Sequence, residues 1–181
     1  NFVVKFINRC DIYRMQNIIA IIWDFDKTLV DGYMQDPIFK EYKVQASDFW
    51  QEVNELPAKY KKEGVRINRD TIYLNHFINY VKQGKFKGLN NAKLKSYGKQ
   101  QKFYLGIPDI FKTTSELLNN DLVCKEYNIR VEHYIVSTGF AEVIKGSSIM
   151  EYIEEIWGCE LIEHKLDDGT REIAEIGYTI D

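Results

Sequence analysis

Six consecutive apolar residues, Ile18-Ile19-Ala20-Ile21-Ile22-Trp23, stop abruptly at Asp24. A short β-branched run that ends in a polar loop predicts a fully buried strand of a parallel sheet. Downstream the period changes. Leu74, Phe77, Ile78 and Val81 recur at i, i+3, i+4 and i+7 and predict a helix over 70–83, and a second helix is expected over 47–63 with Ser47 or Asp48 as its cap. Gly84 and Gly88 punctuate the pattern, and a weaker helix is expected between 89 and 103. Gly106-Ile107-Pro108-Asp109 resets the chain, and Pro108 in a first turn followed by Ile110, Phe111, Leu117 and Leu118 predicts a helix to residue 120. Val131 to Val136 reads as a second buried strand, ending in the small polar loop Ser137-Thr138-Gly139-Phe140. Ile149, Ile153, Ile156 and Trp157 keep helical spacing. Segments 159–165 and 171–177 then flank Asp168-Gly169 as a hairpin.

Strand, helix, strand, helix implies an α/β fold around a parallel sheet, with an all-helical insertion over 32–104 that no strand pattern interrupts. Composition agrees with a folded chain: 181 residues, 45% apolar, 14% aromatic and 3 Pro exclude disorder, collagen and a disulfide scaffold. The longest apolar run is far short of the roughly 18 residues that span a bilayer, and it runs straight into WDFD rather than a cleavage site. A cytosolic (cytoplasmic) protein without a membrane segment is expected. Cys10, Cys124 and Cys159 are scattered and lack metal spacing, so they read as free thiols, and His76, His133 and His164 read as structural or surface residues.

The net charge of −3 conceals an uneven distribution. Residues 32–104 hold 14 Lys/Arg against 7 Asp/Glu, whereas the rest of the chain is acidic. Lys82 to Lys102 contains seven lysines and no acidic residue, interleaved with Phe86 and Tyr97 and followed by Phe103 and Tyr104. Such a face attracts anions or serves solubility. Nucleic acid is a weaker candidate partner, because the run has no Arg for bidentate base reading. Phe49 and Trp50 read as core of an amphipathic helix, while Tyr97, Phe103 and Tyr104 are candidates for substrate contact.

In an open parallel sheet, ligands bind outside the carboxyl ends of the strands, and both strands here finish in reactive residues. Asp24 and Asp26 lie two residues apart just past the first strand, so both can reach one crevice while Phe25 turns away. One can act as nucleophile and the other as proton donor. Close carboxylates repel, which favours a divalent cation or a proton held by one of them.

The string IIAIIWDFDKTLV resembles the first signature of the haloacid dehalogenase superfamily, DxDx[T] after an apolar strand, and IVSTGF resembles its second. The resemblance implies a Rossmann-like parallel sheet core, 1–31 and 105–181, with an inserted all-helical cap, 32–104, as in the phosphoserine-phosphatase-type branch. It further implies a phosphate-monoester hydrolase in which Asp24 attacks phosphorus to form an aspartyl-phosphate and Asp26 protonates the leaving oxygen and then activates water. Mg2+ would be held by the Asp24 carboxylate and the Asp26 backbone carbonyl. Ser137, with backbone N–H groups near Thr138 and Gly139, would bind the phosphoryl oxygens, and Thr28 would fix the first loop. The second carboxylate favours ester hydrolysis over dehalogenation. A lysine-rich cap suits a small anionic substrate.

Two parts of the family's pattern are missing. The acidic GDxxxD motif has no match, since Asp167-Asp168-Gly169 reads as a hairpin turn, and Lys145 is placed too early for the family's phosphoryl-neutralising lysine. The chain is therefore expected to be the amino-terminal part of a longer protein, with an unpaired sheet edge. Residues 1–14 precede Met15, which could be the initiator, while Phe2 to Ile7 could instead form an extra strand. The alternative function is a catalytically silent binding module whose basic cap docks an anionic partner.

Overall fold

The computed structural model describes residues 17–180. Met15, Cys10 and the candidate strand at Phe2 to Ile7 lie outside the described residues. Four strands form one mixed sheet in the order β1-β2-β3-β4: β1 is Asn17–Trp23, β2 is Ile129–Phe140, β3 is Glu155–Lys165 and β4 is Arg171–Tyr178. The first three are parallel and β4 returns antiparallel to β3. The fold is thus α/β. β1 is not the buried strand its composition predicts. Among the described residues it pairs only with β2, and Ile18, Ile19 and Ile22 are about half exposed or more (49%, 47% and 65%). Apolar run length reports the potential for burial, and an edge position leaves that potential unused.

Four helices follow β1: α1 (Asp36–Tyr42), α2 (Ala46–Lys62), α3 (Ile72–Lys82) and α4 (Asn91–Gly98). The expected helices over 47–63 and 70–83 are therefore present within one or two residues. Ser47 and Asp48 do not cap α2; Gln45 holds that position without a side-chain cap, and the Ser47 hydroxyl donates instead to Asp48. The helices gather on an aromatic centre. Phe39, Phe49, Phe77 and Phe86 are buried, with ring centroids 4.8 to 6.1 Å apart. Each such side chain contributes about 1.5–3 kcal/mol of transfer free energy. Tyr97 belongs to this core rather than to a substrate surface, while Tyr104 is exposed.

The chain enters and leaves the helical layer side by side. Asp31 donates its N–H to the Lys102 carbonyl (2.7 Å) and Tyr104 to that of Leu29 (3.0 Å), an antiparallel clasp at its base. A second attachment comes from the β3–β4 hairpin. Ile173 N–H donates to the Leu89 carbonyl, Asn91 N–H to Glu163, and Gly88 N–H to Glu172. The hairpin itself turns at Asp168-Gly169 as expected, with Gly169 at φ +85° and the Asp168 carboxylate accepting from both Thr170 N–H and its hydroxyl.

Between the two parallel strands run α5 (Asp109–Asn120) and α6 (Leu122–Glu126), and α7 (Ala141–Lys145) follows β2. The helical spacing of Ile149, Ile153, Ile156 and Trp157 is misleading. Only a 3-10 turn forms, at Met150–Tyr152, and Ile156 and Trp157 belong to β3, because pairing with β2 satisfies their backbone. The histidines take structural or surface places. His133 is buried, accepts from the Trp23 indole at Nδ1 (3.1 Å) and therefore donates from Nε2 to Thr114 Oγ1 (3.0 Å); burial holds its pKa below the ordinary value. His76 bonds Glu52 and His164 lies against Glu175. Cys124 and Cys159 are free thiols.

Candidate active site

The end of β1 folds into a tight turn. The Phe25 carbonyl accepts from the N–H groups of Thr28, Leu29 and Val30 (3.4, 3.0 and 3.1 Å), and the Phe25 ring is fully buried, edge-on to Phe103. Alternation about this anchor sends Asp24 and Asp26 to the other side. Lys27, between them and Thr28, adopts φ +57°. A left-handed lysine costs about 1–2 kcal/mol and persists only where its surroundings impose it. Here the constraint is its N–H, which donates to the Gly32 carbonyl (3.1 Å).

The two carboxylates differ in setting. Asp24 is exposed, and its Oδ2 accepts from the Thr28 hydroxyl at 3.1 Å. Asp26 is partly buried, and its Oδ1 accepts the Met34 N–H at 2.8 Å. Burial raises the Asp26 pKa to about 7, the Met34 bond opposes the rise and the Asp24 charge adds to it. At neutral pH a large share of Asp26 therefore carries a proton.

Because Trp23 pairs in parallel with Ile135, the turn after β1 lies at the same end of the sheet as residues 137–139 of β2. There β2 bulges: Val136 pairs with Trp157 but Phe140 pairs with Cys159, so three residues of β2 face one of β3. Ser137 is buried, and its hydroxyl oxygen accepts the Gly139 N–H at 3.0 Å. A side chain at Gly139 would place Cβ 2.3 Å from Met34 Cε, so the methionine end would have to move aside. Met34 Sδ in turn accepts the Phe140 N–H at 3.0 Å. The structure thus brings Asp24, Asp26 and Thr28 to one turn and Ser137, Thr138 and Gly139 to the bulge beside it; residues 137–140, expected as a loop, are the last residues of β2.

Several residues of this neighbourhood carry no signal in the sequence. Tyr73, on α3, reaches from the helical layer to donate its hydroxyl to the Thr138 carbonyl (3.0 Å), yet in sequence it is one more apolar position of a helix. Buried Gln35 lies against Tyr73 and leaves its Oε1 without a partner among the described residues. Met34 touches both the Asp26 turn and the end of β2 although nothing in its spacing announces it. Lys145 is committed elsewhere, to Glu142 (2.8 Å) and Glu160 (3.7 Å).

No cluster of three or more His, Cys, Asp or Glu side chains able to hold a metal exists among the described residues. The oxygen donors of Asp24 and Asp26 nonetheless fit Mg2+, a hard cation commonly bound by one or two carboxylates together with waters and phosphate oxygens.

No family model matches the chain. An uncharacterized protein of Borreliella burgdorferi is 41% identical over 152 residues, which are 83% of this chain and 52% of that protein. The chain therefore spans about half the length of this relative. In structure it is similar to a phosphoserine phosphatase in a phospho-aspartyl intermediate analogue form, with a TM-score of 0.53 and 19% identity, over 89% of this chain and 63% of that one. It is also similar to a HAD family hydrolase from Salmonella enterica subsp. enterica serovar Typhi, with a TM-score of 0.51 and 14% identity, over 86% of this chain and 44% of the other. These neighbours share the α/β, Rossmann-type fold with this chain.

Proposed function

We propose that this protein is a Mg2+-dependent phosphate-monoester hydrolase that works through an aspartyl-phosphate on Asp24, with residues 32–104 as its cap. The observation that carries the reading is the pairing of an exposed Asp24 with a partly buried Asp26, held by the Met34 N–H, across a parallel strand pair from the bulged Ser137–Gly139 segment. In the first step an Asp24 oxygen bonds to phosphorus as the bond to the ester oxygen breaks, and Asp26 gives its proton to the departing alkoxide. In the second, Asp26 takes a proton from water, whose oxygen attacks phosphorus and frees phosphate and Asp24. Ser137, with backbone N–H groups near Thr138 and Gly139, binds the equatorial oxygens, where charge accumulates. When bound at Asp24 and Asp26, Mg2+ supplies neutralisation of that charge.

The substrate in this reading is a small phosphorylated molecule met in the cytosol, and the lysine-rich layer favours an anion. No helix among the described residues is long and apolar enough to cross a membrane. The test is Mg2+-dependent phosphate release from a panel of monoesters, using this chain and the longest product of its gene, each beside Asp24→Asn. Turnover by the wild-type protein that disappears in the variant supports the hydrolase. Silence in both forms overturns it and favours a binding module with a basic cap.

A further inference from the structure

Beside the two carboxylates the chain builds a wall of three aromatic rings. Tyr33 follows the Asp26 turn directly and is 39% exposed. Its ring centroid lies 5.8 Å from that of Trp50 on α2, and Trp50 lies 5.5 Å from Tyr73 on α3. Tyr73 closes the row at the Thr138 carbonyl, so the wall runs from the turn to the bulge. Phe49 and Trp50, alike in sequence, separate here: Phe49 is fully buried, whereas Trp50 is only partly covered at the margin of the core.

Polar groups frame the wall. The Lys27 ammonium sits 4.2 Å above the Tyr33 ring, on an exposed stem that can swing aside. Gln35, beside Tyr73, is buried, and its Oε1 is closed off from solvent. The other side of Tyr33 lines a separate cleft with Asp31, Asp36, Lys40 and Lys102, which neither Trp50 nor Asp24 reaches. Exposed aromatic area with a cation on a ring face is what a flat heterocycle or arene uses.

We propose that the leaving group of the substrate is planar and aromatic, stacking on the Tyr33–Trp50 wall while its phosphate lies at Asp24. This rests on the hydrolase reading and narrows it from any small phosphomonoester to those carrying a ring, either on the ester oxygen itself or one sugar away.

The test is affinity, measured by calorimetry with Mg2+ present on this chain and on the longest gene product, for two matched pairs. AMP is compared with ribose 5-phosphate, and phenyl phosphate with glycerol 3-phosphate. In at least one pair the planar member is expected to bind at least about fivefold more tightly, the low end of one base–aromatic stack. The pair with the larger ratio tells a nucleoside ester from an aryl ester. Tyr33→Leu and Trp50→Leu should each pull that ratio toward one; Tyr33, being partly exposed, is the safer variant for folding. Ratios within twofold in both pairs, or a ratio that survives both substitutions, overturn this inference while leaving the hydrolase reading standing. Failure of all four esters to bind or to turn over overturns both.

Discussion

Gly146 offers a sharp test of how the helical layer is joined to the site. It ends α7 with φ −85°, an ordinary right-handed conformation, so its backbone has no need of glycine. Space is the reason. A Cβ at Gly146 would lie 1.8 Å from the Lys95 carbonyl oxygen and 2.7 Å from its carbon, and a Cβ at Gly98 would lie 2.2 Å from the Val143 carbonyl oxygen. Two backbones thus meet with no side chain between them, α4 against α7. Gly146→Ala must push them apart by more than an ångström, since neither obstacle is a flexible side-chain end. Overpacking costs about 1–3 kcal/mol where side chains can adjust, and a backbone clash belongs at or above the top of that range. At roughly 2–4 °C per kcal/mol for a chain of this size, the melting temperature should fall by about 6–12 °C. Gly84→Ala is the control. Gly84 has φ +76° and nothing within 4 Å of a new Cβ, so only left-handed strain, about 1–2 kcal/mol, applies. Urea unfolding followed by circular dichroism gives both values. A Gly146→Ala protein within 1 kcal/mol of wild type, or no worse than Gly84→Ala, would refute the close-contact argument.

Phe77→Ala should cost about 3–5 kcal/mol in the same assay, because the ring is fully buried and touches Phe39, Phe49, Phe86 and Phe140. Asp26→Asn should slow hydrolysis of an alkyl phosphate by about 10²–10⁴-fold but that of nitrophenyl phosphate far less, since a nitrophenolate leaves without a proton; equal losses would remove Asp26 from the acid role. Stability should also depend on pH through His133. Its folded pKa lies below its unfolded value of 6.5, so the unfolded chain binds more protons in that interval. The contribution is full above pH 6.5 and declines as pH falls toward the folded pKa, a slope that His133→Gln should flatten in denaturation midpoints measured across pH.

Local chemistry was legible where it depends on neighbours in sequence. DFDKT follows its strand, Asp168-Gly169 turns its hairpin, and the spacing of Leu74, Phe77, Ile78 and Val81 marks α3. Legibility failed where a distant partner decides. Ile156 and Trp157 have helical spacing, but pairing with β2 makes them strand. Ile18 to Ile22 look buried, but among the described residues the order of the sheet places them at an edge. The lysine run reads as one surface, yet Lys85 lies over Tyr80, Lys93 bonds Glu41 and Tyr42, and Lys102 lines a cleft near Tyr33. In the site, the carboxylates and Ser137 announce themselves by their strand ends, whereas Met34, Gln35 and Tyr73 acquire meaning from contacts 38 to 106 residues away in sequence.

Met34 shows why the helical layer and the chemistry form one unit. Its N–H holds Asp26 and its sulfur meets the Phe140 N–H, so a single residue fixes the separation of the turn and the bulge. It stands just before α1, whose Phe39 packs on Phe77, and Phe77 packs on Phe140. Tyr73, on the same helix as Phe77, returns to Thr138. A displacement of the helices therefore reaches the carboxylate through Met34 and the bulge through Tyr73 and Phe77 together. The helices cannot shift without disturbing the Asp26 carboxylate and the β2 bulge together.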